Sequence, residues 1–131
     1  MKLLLDTHIW IWMVLEPTRL SRRVARALDD VENQLWLSPI SVWELLMFTR
    51  KGRVQLDDDA VSWTRRTMQQ LQLHEAPLTT EVALETSALG LAHSDPSDRL
   101  IAASARVFDL TLVTADEKLI AARGIQVFAN R

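Results

Sequence analysis

The sequence predicts an α/β domain built around a mainly parallel sheet. Three observations carry that expectation. The short apolar run Leu3-Leu4-Leu5 reads as a strand buried on both faces, as parallel strands are, Leu35-Trp36-Leu37 as a second buried strand and Leu110-Thr111-Leu112-Val113-Thr114 as a further strand. Longer segments of helical character lie between them, as parallel connections require. The first run stops at Asp6, which puts an acid at the C-terminal end of a strand, the edge where open α/β sheets hold ligands.

In chain order, Asp6 or Thr7 is placed to cap a helix over residues 8–15, ended near Pro17. That helix is apolar nearly all round, so it calls for burial or a partner. A second helix is expected from Ser21 to about Glu32, with Leu20, Val24, Ala27, Leu28 and Val31 on its apolar side. Ser38-Pro39 reads as a cap and first helical residue for a helix to Arg50, closed by Gly52. Asp57-Asp58-Asp59 opens a helix to about Leu73. Residues 74–78 are extended, a minor strand, and Thr79 or Thr80 starts a helix ending near Gly90. Residues 94–98 start a helix that runs through Arg106, and its small residues suit close packing on the sheet. After the strand at 110–114, Ala115-Asp116-Glu117 opens a short helix stopped by Gly124, and residues 125–128 form a last edge strand. No repeat or linker divides residues 1–131, so a single domain is expected.

Composition excludes several classes. Without cysteine there is neither a disulfide framework nor a thiolate metal site. Leu3–Leu5 is too short for a signal-peptide core, and no apolar run approaches a membrane span, so a cytoplasmic protein is expected. A net charge of −2 means that any nucleic-acid contact must come from a local patch. The basic clusters are Arg19, Arg22, Arg23 and Arg26, then Arg50, Lys51 and Arg53, then Arg65 and Arg66. Taken singly they read as solvated helix faces, yet an acidic site acting on a nucleic-acid backbone needs some of them at its border.

Four carboxylates, Asp6, Glu44, Asp98 and Asp116, fall at strand ends or on helices entering from the same edge. Asp6 and Asp116 are equally explicable as caps, and Asp98 as a first-turn acid. Glu44 is harder to explain so, because its neighbours one turn away are Ile40, Ser41, Met47 and Phe48. An unpaired carboxylate on an apolar face costs several kcal/mol, and no cation follows until Arg50. Four acids crowded together repel by about 4 kcal/mol per close pair at an intermediate dielectric. A divalent cation removes the conflict, and an all-oxygen donor set favours Mg²⁺ or Mn²⁺ over zinc. Such a site polarises a phosphodiester and activates water. The hydroxyls of Thr7, Ser41 and Thr114 are placed to orient the acids or a bound water.

The order L-L-D-T-H, S-x-x-S-V-W-E-L, D-P-S-D-R-L-I-A-A-S-A and L-V-T-A-D-E resembles the PIN-domain nucleases, most closely the VapC toxins of type II toxin–antitoxin systems. The resemblance spans the whole chain. It implies a three-layer α/β/α sandwich and a Mg²⁺- or Mn²⁺-dependent ribonuclease. It further implies a homodimer and a VapB-type antitoxin that delivers a basic residue to the acidic site. Residue by residue it places Asp6, Glu44, Asp98 and Asp116 in the acidic quartet. Asp95 reads as the cap of its helix, since Pro96 follows it. Asp109 stands where relatives often carry glycine, a turn variation.

Other residues are read more plainly. His8, His74 and His93 lack metal-ligand spacing, and His8 reads as structural. The five tryptophans read as core before base-stacking platforms, although their number suggests apolar surface covered by a partner. Arg99, beside Asp98, is placed to pair with an acid. Two rivals stand beside the nuclease: a non-catalytic module that binds RNA or a partner, and a haloacid-dehalogenase-like phosphatase. The second needs an aspartate two residues after Asp6, where this chain has His8.

Overall fold

A computed structural model describes residues 1–90 and 95–131. The expected positions of His93 and Ser94 lie outside the described residues. Five strands form one parallel sheet: β1 (Lys2–Leu5), β2 (Gln34–Leu37), β3 (His74–Glu75), β4 (Thr111–Thr114) and β5 (Gln126–Ala129), in the order β3-β2-β1-β4-β5. The helices are α1 (Thr7–Leu15), α2 (Arg22–Asp29), α3 (Pro39–Arg50), α4 (Ala60–Gln70), α5 (Thr80–Glu85), α6 (Pro96–Val107) and α7 (Glu117–Ile120).

The leucine run at residues 3–5 divides the core in two. Successive side chains of a strand point to opposite faces. Leu3 and Leu5 therefore join Trp10, Val24, Leu45 and Trp63 under α1 to α4. Leu4 joins Val82, Ile101 and Leu119 under α5, α6 and α7. All three leucines are fully buried, and the result is the expected three-layer sandwich. The central strand β1 ends with the Asp6 amide donating to the Val113 carbonyl at 3.0 Å, which ties the first acid to the end of β4.

Helix starts follow the caps in the sequence. Asp6, Ser21, Ser38, Asp59, Thr79, Asp95 and Asp116 each accept a hydrogen bond from a backbone amide of their helix. Helix ends depart from expectation. α2 stops at Asp29 because Asp30 makes a turn, its carboxylate accepting from the Glu32 amide and its carbonyl from that of Asn33. Val31, expected on the apolar side of the helix, is 93% exposed beyond that turn. α4 ends at Gln70, short of Leu73, with Gln72 in the left-handed region at φ 53°. α5 ends at Glu85 and passes into a 3₁₀ turn before Gly90. Among the described residues, no helix is long and apolar enough to cross a membrane.

Candidate active site

At the C-terminal edge of the sheet, Asp6 leaves β1, Asp116 follows β4, Glu44 projects from α3 and Asp98 sits in the first turn of α6. All four line one cleft of about 1070 Å³, together with Asp95. The two explanations of these acids coexist. Asp6 caps α1, Asp116 caps α7 and Asp95 caps α6, and the same three side chains face the cleft.

Two threonines fix the acids. The Thr114 hydroxyl donates to Asp6 Oδ2 at 2.6 Å and accepts from the Asp116 amide at 3.0 Å. The Thr7 amide donates to Asp6 Oδ1 at 2.9 Å. The Thr7 hydroxyl lies 2.5 Å from Glu44 Oε1 and 2.8 Å from Ser41 Oγ. A hydroxyl has one proton, and the charged acceptor makes the stronger bond. Thr7 thus donates to Glu44 and accepts from Ser41, giving a chain Ser41–Thr7–Glu44.

Burial pushes the Asp6 carboxyl above its ordinary pKa; the Thr114 hydroxyl pulls it back, and the Asp98 charge raises it again. Burial likewise raises Glu44, opposed by its Thr7 hydrogen bond and reinforced by Asp6, Asp98 and Asp95. Both acids are thus held in a cleft that disfavours their charge, through desolvation and like-charge crowding. This is the electrostatic condition that a divalent cation relieves. Among the described residues, no three His, Asp or Glu side chains are already grouped so as to hold a metal ion. Mg²⁺ does not require such a cage, because it binds through one or two carboxylates and keeps several waters. The donor set, carboxylates and hydroxyls without thiols, fits a hard cation.

Glu44 is only half-buried, for a reason invisible in the periodicity. The apolar neighbours Ile40, Met47 and Phe48 face the cleft with it, while Ser41 and Leu45 are the buried face of α3. Trp43, expected in the core, is 54% exposed on the cleft wall. Trp36 is half-buried and stacks on His74 at 5.0 Å; Trp10 and Trp63 are core, as expected. His8 is exposed on the cleft wall, its ring 5.8 Å from Trp12 and 5.7 Å from Phe48. The signal for His8 was its spacing of four from Trp12 on one face of α1. Of the basic clusters, Arg19 and Arg53 reach the cleft. Arg66 pairs with Asp57 and Asp58, and Arg23 lies over Phe128. Arg99 donates to the Thr86 carbonyl at 3.2 Å.

Comparison with known proteins decides the family. The PIN-domain model matches residues 3–125, nearly the full chain. The chain is 34% identical over 119 residues to Ribonuclease VapC22 of Mycobacterium tuberculosis, covering 88% of each. This chain belongs to the PIN-domain family, among its VapC ribonucleases. Solved PIN structures agree on the fold. VapBC2 of Rickettsia felis, crystallised with a DNA fragment from its promoter, superposes with a TM-score of 0.76 at 18% identity over 98% of both chains. FitAcB of Neisseria gonorrhoeae gives 0.67 at 26% identity over 98% of this chain and 97% of that one. Membership sets aside the phosphatase alternative, and the four acids of this PIN domain occupy one cleft at its sheet edge.

Proposed function

We propose that residues 1–131 form one metal-dependent endoribonuclease domain, the toxin of a toxin–antitoxin pair, with Asp6, Glu44, Asp98 and Asp116 as ligands of Mg²⁺ or Mn²⁺. The observation that carries this reading is the cleft itself: acids from four segments of a VapC relative meet there, and two of them sit above their ordinary pKa. A bound cation would supply Lewis acidity at the phosphodiester and a more acidic water.

The protein's own part is positional. Thr114 and the Thr7 amide fix both oxygens of Asp6, so the carboxylate cannot turn away from the cleft. The Ser41–Thr7 chain holds one oxygen of Glu44. Pre-set ligands lose little freedom when they engage. Arg19 and Arg53 at the rim offset the negative field that would otherwise repel an RNA backbone.

The partners follow from the relatives. Several structural neighbours were solved as VapBC toxin–antitoxin complexes, which supports a cognate VapB-type antitoxin here. Exposed Leu15 and Trp43 supply apolar surface for an antitoxin or for a second copy in a homodimer. The site of action we propose is the cytoplasm, where RNA substrates lie.

The test is cleavage of a defined mixture of transfer and ribosomal RNA by antitoxin-free chain in Mg²⁺ or Mn²⁺, mapped by fragment ends. Discrete cuts, abolished by EDTA and by Asp98→Asn, are expected. Cuts that persist in Asp98→Asn would show that other residues do the chemistry. Metal binding without any cutting would favour a binding module.

A further inference from the structure

The acid cleft does not end at its acids. His8, Trp12, Arg19, Phe48 and Arg53 line it on one side, and the same five residues wall a second groove of about 600 Å³ that continues from it. The two regions differ in charge. Asp6, Glu44, Asp95, Asp98 and Asp116 belong to the first region, whereas Glu16 is the carboxylate among the residues lining the second. Glu16 already pairs with Arg19 at 3.3 Å. The groove is aromatic as well as basic. His8 is exposed between Trp12 and Phe48, and the Arg19 guanidinium lies 4.2 Å over the Trp12 ring.

We infer that this groove is a nucleotide subsite, which takes one unpaired base of the RNA strand beside the scissile phosphate. The inference rests on the ribonuclease reading and deepens it. A strand with its scissile phosphate at the acids must carry its next phosphate away from them, and the continuous surface turns positive in this direction. Arg53 receives that phosphate, and the exposed His8 ring, backed by Trp12 and Phe48, receives the base. Aromatic faces hold any base by stacking, and only a base free of a duplex can enter such a groove. The RNA is thus expected to be single-stranded on one side of the cut, in a loop or bulge.

The experiment measures anisotropy of fluorescein-labelled short oligoadenylate RNAs on the full chain in Mg²⁺, with Asp98→Asn to prevent cutting. One RNA is intact, and each of the others carries one abasic position. The subsite predicts one abasic position that weakens binding by about 5- to 150-fold, as loss of a stacked base does. It predicts that Arg53→Gln lowers the slope of log affinity against log salt by about 0.7, the share of one phosphate on a single strand. Trp12→Phe should bind like the parent and Trp12→Leu more weakly. If Trp12→Leu fails to fold, the abasic series decides, since it alters only the RNA. Equal binding of the intact RNA and of every abasic RNA, with a salt slope unchanged by Arg53→Gln, would overturn the subsite, leave the nuclease standing and give the groove to a protein partner. No binding of any RNA, with cleavage also absent in the unsubstituted chain, would overturn both.

Discussion

Thr114 joins two of the four acids through one oxygen, donating to Asp6 and accepting from the Asp116 amide. Thr114→Val removes both bonds while keeping the volume of a fully buried side chain. It is expected to destabilise the fold by about 1–3 kcal/mol, the range for unsatisfied buried polar groups. It should also weaken Mn²⁺ binding by about 10- to 100-fold, as loss of an orienting partner does, whereas Thr114→Ser should retain most of both. Titration calorimetry and thermal melts measure the two effects. Asp6 and Glu44 make a second residue-level prediction. Each carboxyl is raised by folding from its ordinary value, 3.8 for Asp6 and 4.5 for Glu44. Between the unfolded and folded pKa values the native state holds more protons than the unfolded state, so stability falls as pH rises through that window. In EDTA, the melting temperature should therefore decline as pH rises from about 4, where these carboxyls begin to ionise in the unfolded chain. Asp6→Asn and Glu44→Gln should flatten that decline, and Glu44→Gln, whose amide oxygen still accepts from Thr7, should melt higher than the parent at neutral pH. A parent that gains stability across the same window, or a Glu44→Gln variant that melts lower at neutral pH, would contradict this.

Among the elements, helix starts were legible and helix ends were not. A cap is a local event: Ser38 with Pro39, or Asp95 with Pro96, carries its own hydrogen-bond acceptor and fixed φ into the first turn. An end depends on the turn that follows, and Val31 kept helical spacing with α2 although Asp30 had already broken it. Faces were legible only in part. The run at Leu3–Leu5 declared a doubly buried strand, but α3 is apolar toward both core and cleft, so periodicity could not show that Trp43 and Glu44 share the open side. Asp6, Asp98 and Asp116 could be named because each lies at a strand end or helix entry, and Glu44 because its mid-helix neighbours are mostly apolar, whereas the Thr7–Glu44 contact spans 37 residues and needed the fold. The loop before β4 offers a prediction at this scale. Asp109 adopts φ 54°, which Asp tolerates and β-branched residues do not. Asp109→Gly should change stability by less than about 1 kcal/mol, and Asp109→Val should cost about 1–3 kcal/mol, read from urea midpoints.

For the whole molecule, the sheet brings together in one cleft acids that repel one another, and the proposed cation would relieve that repulsion. Binding to the native state alone stabilises it by about 2.7 kcal/mol at a hundredfold excess over Kd. A domain of this size should then melt several degrees higher in saturating Mg²⁺ than in EDTA. Glu44→Gln should lose that metal-dependent gain while keeping its higher metal-free melting temperature. The most direct test of the central claim is Mn²⁺ binding followed by electron paramagnetic resonance, on the parent chain and on Asp6→Asn, Glu44→Gln, Asp98→Asn and Asp116→Asn. The account predicts saturable binding by the parent, weakened at least tenfold by each substitution, with the fold intact by circular dichroism. Parent-like Mn²⁺ affinity in all four variants would contradict it, since the acids would then share a cleft without sharing a metal.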